Sequence, residues 1–318
     1  MSRLETTNAK SGKAPRRSQK LFKRILLTFG LFLGITAGWV LFFPSYISPA
    51  YDPNNAPEPT AGREISFTGF DGLAHVGEEV ILQAKLETKY LRNDIEDETV
   101  ECRVEGENLG PVRTDEEGFA RWRFTPKETG NFTVFYQLPA KAGYKPKRTT
   151  GLLAVRTDEK PILVTDLDHT VIDISTYQFI HHDNENIPPL PGVVEILNGL
   201  TEDYDIIYLT ARDDLYVNVT KYWLDMYGLP RAPLFVCDLS EEPVDQGEFK
   251  KEVLKKLKAQ WPKITIGVGD KVHDAEAYLA NGMTAYIIGE HDELPDKTIS
   301  VTSWKEIQEK LKKNLSPI

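Results

Sequence analysis

The chain has 318 residues, 41% hydrophobic and 27% charged, which is long enough for about two globular domains plus accessory segments. Its net charge of −10 is uneven: residues 1–24 hold eight of the 38 basic residues and one of the 48 acidic ones, so the remainder carries −17. This composition excludes a collagen-like, coiled-coil or globally disordered chain, and the acidic body argues against a nucleic-acid partner.

The basic tail, residues 1–24, precedes an uncharged segment of nineteen residues from Ile25 to Phe43. As a helix it would span about 28 Å, close to the hydrocarbon thickness of a bilayer, and Trp39 lies near its far end. The alternative is a cleaved signal peptide, whose apolar region usually has about 7–15 residues and ends in small residues. Here Pro44 follows directly. We therefore expect a single-pass membrane anchor, with the N-terminus in the cytoplasm and the remaining domains on the opposite side.

Residues 44–62 contain five prolines and predict a semi-extended linker. Residues 63–157 then show short alternating runs separated by turn residues, a pattern typical of a β-sandwich. The turn at Thr114–Gly118 predicts a hairpin, and the motif from Thr114 to Ala120 resembles bacterial immunoglobulin-like modules. That resemblance implies a spacer or adhesion role, with no protein partner defined. The candidate strands are Glu79–Leu86, Val100–Val104, Phe119–Phe124 and Phe132–Tyr136.

From residue 158 to 318 apolar strands alternate with amphipathic helical stretches. This pattern predicts an α/β domain with a Rossmann-like parallel sheet covered on both faces. In such sheets ligands bind at the carboxyl ends of the strands. The predicted strands are Ile162–Thr165, Asp205–Leu209, Leu234–Val236, Ile264–Val268 and Thr284–Ile288, with helices around 191–200, 214–227, 247–260 and 273–281.

Chemically distinctive residues follow three of these strands. In chain order they are Asp166-Leu167-Asp168-His169-Thr170, then Thr210-Ala211-Arg212, then Lys250 at a helix start, and finally Gly269-Asp270 with Asp274. This order resembles the four motifs of the haloacid dehalogenase (HAD) superfamily over residues 160 to about 290. The resemblance implies a HAD-like fold and a phosphatase, a phosphoric monoester hydrolase.

The resemblance also implies a role for each motif residue. Asp166 would be the nucleophile that forms an aspartyl-phosphate, and Asp168 the general acid and base. Thr210 would bind a phosphoryl oxygen, and Lys250 would neutralise charge on the transferring group. Carboxylates beside a phosphate require a cation, so Mg²⁺ is the expected cofactor. Its expected ligands are Asp166, the backbone carbonyl of Asp168, Asp270 and Asp274.

Some assignments have alternatives. Taken singly, Asp168, Thr210 and Asp274 could be turn or helix-cap residues. Arg212 could bind a substrate phosphate or pair with Asp213 or Asp214 on the surface. Lys250 borders the apolar stripe of its helix, whereas Lys251 lies on the solvated face, so we assign Lys250 to the site. His169 and His273 are expected near the rim without a catalytic role.

Neither interval that usually holds a cap domain is long enough for one. Twenty residues separate Thr170 from Pro191, and one helix fills Lys250 to Ile264, so we expect an open site for a bulky substrate. Among capless members the chain resembles the lipin-type phosphatidate phosphatases and the C-terminal domain of phosphatidylinositol-transfer proteins. The likeness lies in Ile207–Arg212, Glu248-Phe249-Lys250 and Gly269–Tyr278, although His169 stands where lipins have Gly and Asp270 where they have Asn.

Three classes of function follow from these patterns. The first is an active phosphohydrolase acting on a phospholipid, a phosphoprotein or another phosphate ester. The second is a non-catalytic module that binds a phosphate head group such as that of phosphatidic acid, as the transfer-protein relatives do. Those relatives lack the second aspartate, so Asp168 favours catalysis. The third, a cell-surface adhesin built on the β module, would require a vestigial site.

Overall fold

The computed structural model describes residues 64–140, 147–181, 186–237 and 245–315. Within these ranges no helix is both long and apolar enough to cross a membrane. The basic tail, the segment Ile25–Phe43 and the proline-rich linker lie outside them, so the anchor stays a prediction. The described residues all belong to one compact unit within Asp52–Ile318.

Residues 65–140 and 147–156 form two β-sheets around one hydrophobic core. The strands of the described part are β1 (Ile65–Gly69), β2 (Gly72–His75), β3 (Val80–Thr88), β4 (Thr99–Val104), β5 (Glu107–Arg113), β6 (Phe119–Phe124), β7 (Gly130–Leu138) and β8 (Lys147–Arg156). One sheet has the order β1-β3-β6 and the other β2-β8-β7-β4-β5. Side chains of both sheets, among them Leu82, Trp122 and Tyr136, fill the core. The module is therefore a two-layer β-sandwich, and its immunoglobulin-like character stays a prediction.

The predicted strands of this module overlap β3, β4, β6 and β7, and β6 has the predicted bounds. The hairpin predicted at Thr114–Gly118 is wrong. Strand β5 lies at the edge of the five-stranded sheet and β6 in the three-stranded sheet, so the chain crosses between layers here. The Asp115 side chain accepts the N–H of Phe119 at 2.9 Å, and Gly118 has a φ of 76°, which favours glycine. A local turn signal specifies the change of direction but not the strand that the chain then joins.

The rest of the described chain folds as an α/β domain. Its strands are β9 (Ile162–Thr165), β10 (Asp205–Asp213), β11 (Leu234–Cys237), β12 (Ile264–Gly269), β13 (Thr284–Ile288) and β14 (Ile299–Val301). They form one sheet in the order β11-β10-β9-β12-β13-β14, and every adjacent pair is parallel. The predicted α/β fold class is confirmed at this level, with β9 and β13 at their predicted bounds.

Helices cover both faces of this sheet. They are α1 (Thr176–His181), α2 (Val193–Leu200), α3 (Val217–Met226), α4 (Gln246–Gln260), α5 (Val272–Ala280) and α6 (Trp304–Leu315), with a 3₁₀ turn at Asp214–Tyr216. Alternate residues of β9 enter opposite cores: Leu163 packs in the core that contains residues of α2, α3 and α6, and Val164 in the core that contains residues of α4 and α5. This alternation places β9 at the centre of the domain, between two apolar layers.

The sandwich and the α/β domain touch directly. Asp71, between β1 and β2, pairs with Lys221 of α3 at 2.5 Å and accepts the N–H of Leu234 at 2.9 Å. The ring of His75 stacks on Trp261, with centroids 3.6 Å apart. The two segments that composition predicts as separate domains therefore share a contact surface in this structure.

Candidate active site

The carboxyl ends of β9, β10 and β12 lie side by side at one edge of the parallel sheet. Strand β9 lies between the other two, and its last residue, Thr165, is opposite Tyr208 of β10 and Val268 of β12. Asp166 follows β9 directly, and Asp270 follows β12 directly. Because parallel strands end at the same edge, motif residues far apart in the chain meet here.

Lys250 joins two of the carboxylates. Its Nζ lies 2.9 Å from Oδ1 of Asp166 and 2.5 Å from Oδ1 of Asp274, and the residue is only 2% exposed. The neighbouring Lys251 has a side chain that is 45% exposed and pairs with Glu248 at 3.2 Å. The phase of α4 therefore directs Lys250, and not Lys251, into the cluster.

Burial and mutual charge set the protonation of this cluster. Burial, with the nearby charges of Asp274 and Asp168, raises the pKa of Asp166 to about 7, although Lys250 acts in the opposite direction. Burial lowers the pKa of Lys250, but Asp166 and Asp274 outweigh it and hold that pKa above its ordinary value. At Asp274 burial is outweighed by Lys250, which holds the pKa below its usual range. Burial therefore favours the protonated form of Asp166, whereas Lys250 favours the ionised form of Asp274.

Asp166, Asp270 and Asp274 can offer three carboxylate oxygens to one cation, since these atoms lie within 4.8 Å of one another. Oδ1 of the half-buried Asp270 is itself buried, and it has no hydrogen-bond partner among the described residues. Burial also raises the pKa of Asp270. A cation would satisfy that oxygen, and an all-oxygen donor set suits a hard divalent ion. The residues thus fit a metal of the predicted kind.

The start of α5 holds Asp274 in place. Its Oδ2 accepts the N–H groups of Asp270 and Lys271 at 3.2 and 3.1 Å. A Cβ on Gly269 would lie 2.6 Å from the Asp274 side chain, so only glycine fits there. Further along α5, the ring of Tyr278 packs against Gly267, and its hydroxyl donates to the carbonyl of Val268 at 3.0 Å. The spacing of this motif therefore has a packing reason as well as a chemical one.

Asp168 is held by Arg212. The Nε and Nη2 groups of Arg212 donate to the two carboxylate oxygens of Asp168 at 3.1 and 2.9 Å. Arg212 is 1% exposed; its Nη1 donates to Thr220 Oγ1 at 3.1 Å, and its guanidinium carbon lies 3.9 Å from the centre of the Phe179 ring. The alternative of a surface pair with Asp213 or Asp214 is wrong, because the side chain is buried and turned toward Asp168.

Phosphate binding by Arg212 stays a prediction. The position of the Arg212 side chain has a sequence signal, which is the two-residue repeat of a β-strand. Thr210 and Arg212 both lie in β10, and alternate residues of a strand share a face. Thr210 is buried, and its Oγ1 accepts the N–H of Arg212 at 3.2 Å. Both side chains therefore belong to the neighbourhood of Asp168.

The two histidines lie at the side of the cluster. Nδ1 of His169 is 3.5 Å from Asp173, and His169 has a φ of 55°. Nε2 of His273 lies 3.9 Å from Oδ1 of Asp274, and burial lowers the pKa of His273. Neither ring belongs to the carboxylate group that could hold a metal.

The carboxyl edge of this parallel sheet therefore carries the buried carboxylate–lysine cluster that the HAD-like order of motifs predicts. The particular relationship comes from a family model. Residues 163–289, about two fifths of the chain, match the family model described as "PITM 1-3, LNS2 domain". The match begins inside β9 and ends just after β13, so it contains every predicted site residue. No curated protein matches the chain.

Several solved structures resemble the chain at low identity. A chain of the Pnkp1/Rnl/Hen1 RNA repair complex is 17% identical over 43% of this chain and 45% of its own length, with a TM-score of 0.35. An L-2-haloacid dehalogenase is 18% identical over 40% and 60%, with a TM-score of 0.31. A cobalt-bound deoxy-D-mannose-octulosonate 8-phosphate phosphatase from Haemophilus influenzae is 16% identical over 49% and 89%, with a TM-score of 0.33. The chain thus spans about half of the first of these and three fifths of the second.

Proposed function

We propose that the protein is a membrane-anchored, Mg²⁺-dependent phosphohydrolase that works through an aspartyl-phosphate on Asp166. Its open site would take a bulky phosphomonoester such as phosphatidate. The observation that carries the proposal is the buried contact of Lys250 with both Asp166 and Asp274, beside an Asp168 held by two hydrogen bonds. Buried carboxylates and a buried lysine whose pKa values are shifted by one another are typical of catalytic sites.

The chemistry takes two displacements. An oxygen of Asp166 attacks phosphorus, the bond from phosphorus to the ester oxygen breaks, and Asp168 gives its proton to the departing alcohol. Asp168 then accepts a proton from a water molecule that attacks the same phosphorus, which releases phosphate and regenerates Asp166. Lys250 would offset the negative charge that gathers around the transferring group.

The expected metal ligands are Asp166, the backbone carbonyl of Asp168, Asp270 and Asp274. When bound, Mg²⁺ would screen the repulsion between carboxylates and phosphate and polarise the phosphoryl group. Lys250 keeps Asp274 ionised, as a ligand must be. Thr210 and Arg212 lie on the β10 side of the cluster, where they would orient the phosphoryl oxygens.

A second candidate function is a non-catalytic module that binds a phosphate head group such as that of phosphatidic acid. The LNS2 match favours it, because the motif residues resemble transfer-protein domains as well as lipins. Catalysis is preferred because this chain has Asp168, held by the paired nitrogens of Arg212 in an orientation that a binding module does not need. A phosphoprotein or a small phosphate ester is the remaining substrate class for an active enzyme.

The first test is metal dependence. We expect the purified full-length chain to release phosphate from p-nitrophenyl phosphate with Mg²⁺, to stop in EDTA, and to recover when Mg²⁺ is restored. A proton competes with the metal for Asp166, whose pKa is raised to about 7. Below pH 7, the Mg²⁺ concentration that gives half-maximal activity should therefore rise about tenfold for each pH unit. Asp270→Ala should weaken Mg²⁺ binding and the exposed Asp296→Ala should not. Full turnover in EDTA would contradict the proposal.

The second test separates the substrate classes. We expect kcat/KM for phosphatidate in mixed micelles to exceed that for glycerol 3-phosphate by at least about tenfold, because the acyl chains add binding energy remote from the phosphate. Binding of phosphatidate without phosphate release, in a chain that folds, would favour the head-group module. Faster turnover of glycerol 3-phosphate or of a phosphopeptide would exclude the lipid and retain the phosphatase.

A further inference from the structure

We propose that Arg92, in the β-sandwich, is a positioning residue for the phosphatase site of the α/β domain, an inference that rests on the proposed function. Arg92 lies between β3 and β4 with a φ of 49°, in the left-handed region that costs a side chain other than glycine some strain. The backbone thus holds an arginine in an unfavourable conformation where its side chain leaves the sandwich. The partners of the Arg92 side chain account for this conformation.

The guanidinium of Arg92 reaches two adjacent carboxylates of the α/β domain. Its Nη1 donates to both oxygens of Asp213, at 2.8 and 2.6 Å, and its Nη2 donates to Oδ1 of Asp214. On its own side it pairs with Glu87 at 3.1 Å. The side chains of Arg92, Glu87 and Asp213 are largely buried, and Asp214 is 1% exposed. These side chains form an ionic network that is shielded from water. Each electrostatic interaction in it is therefore stronger, and depends more on its geometry, than it would on the surface.

The two aspartates continue the strand that carries Thr210 and Arg212. Asp213 is the last residue of β10, and Asp214 begins the 3₁₀ turn, which Asp213 caps because its Oδ1 accepts the N–H of Leu215. Arg92 therefore fixes the strand end one residue beyond Arg212. Arg212 in turn holds both oxygens of Asp168, the proposed general acid. A continuous series of contacts therefore links Arg92 of the sandwich to the carboxylate of Asp168.

Charge explains what the loss of Arg92 would do. Glu87, Asp213 and Asp214 would remain together with no guanidinium between them, although Lys85 also contacts Glu87 at 3.1 Å. The repulsion would displace Asp213 and Asp214, and with them the backbone of Arg212. The buried carboxylates would also compete with Asp168 for the Arg212 guanidinium. Asp168 would then lose its fixed orientation while Asp166, which directly follows β9, keeps its own contact with Lys250.

A misplaced general acid has a kinetic signature that simple destabilisation lacks. A poor leaving group needs the proton from Asp168, whereas a good leaving group departs without it. The measurement is kcat/KM of the full-length chain for phenyl phosphate and for 2,4-dinitrophenyl phosphate, a poor and a good leaving group. We expect Arg92→Asn to lower the phenyl to dinitrophenyl ratio by at least about tenfold, since general acid catalysis contributes about 10²–10⁴-fold. Asparagine tolerates the left-handed backbone.

The control is Arg123→Asn, because Arg123 is an exposed arginine of β6 that pairs with Glu79 within the sandwich. It should leave the ratio unchanged. If Arg92→Asn does not fold, Arg92→Lys, which keeps the charge but not the paired donors, should show a smaller fall in the same ratio. An equal fall for both esters, or no fall, would overturn the positioning role alone. Absence of turnover in the wild-type chain would overturn the proposed function, and this inference with it.

Discussion

Replacing Asp166 with asparagine is expected to abolish phosphate release, with a loss of at least about 10³-fold in kcat. The amide has the shape of the carboxylate but cannot attack phosphorus to form an acyl phosphate. The fold should survive, because Lys250 keeps its contact with Asp274 at 2.5 Å and a buried carboxyl with a raised pKa has been removed. The measurement is steady-state phosphate release with saturating Mg²⁺, together with thermal unfolding of both proteins.

The matched control for this variant is Asp203→Asn. Asp203 is exposed and lies just before β10, at the edge of the sheet opposite the site, so its replacement should change neither turnover nor stability. Acid-quenched wild-type protein should also carry one phosphate on the peptide that contains Asp166. Unchanged turnover in Asp166→Asn, or a phosphate found on another residue, would show that Asp166 is not the nucleophile.

Local sequence patterns predict the ends of β9 and β12, two of the three strands that meet at this site, to within one residue. Strands β9 and β13 have their predicted bounds because buried parallel strands are short apolar runs between turn residues. The motif residues then meet because β9 lies between β10 and β12. The apolar spacing of α6 at Trp304, Ile307 and Leu311 is equally clear in the sequence, and all three residues are buried, but it is not among the predicted helices.

Partners supplied by distant segments could not be predicted in the same way. Strand β10 continues four residues beyond the predicted Leu209, and three of the four, Thr210, Arg212 and Asp213, are polar residues whose burial is not expected from their type. Their burial depends on Asp168, which meets Arg212, and on Arg92, which lies 121 residues before Asp213. Which acid pairs with which arginine is decided by tertiary packing, and a single sequence does not record it.

The backbone at His169 accounts for one departure from the lipins. Its φ of 55° lies in the left-handed region that glycine adopts freely and that histidine tolerates better than most residues. A glycine in the lipins and a histidine here are therefore compatible with the same turn after Asp168. Histidine at this position is therefore compatible with the placement of the two aspartates.

Lys250→Met should both inactivate the protein and destabilise it by about 3–5 kcal/mol, the usual result of removing one partner from a buried ionic cluster. Methionine keeps the length and apolar contacts of the lysine stem. It leaves Asp166 and Asp274 facing each other without the cation that each now contacts. The measurement is the free energy of unfolding from urea titration at neutral pH, in the absence of metal.

The adjacent Lys251→Met is the control, since it changes the same residue type one position along the same helix. The Lys251 side chain is 45% exposed and pairs only with Glu248 among the contacts described, so its loss should alter stability by no more than about 0.5 kcal/mol. Lowering the pH should reduce the difference in the free energy of unfolding between Lys250→Met and Lys251→Met. Asp274 has a lowered pKa in the folded protein, so its stabilising effect is present above the unfolded pKa and is lost as pH falls through the folded value. If both variants were equally stable at neutral pH, Lys250 would not be the cation that holds this cluster together.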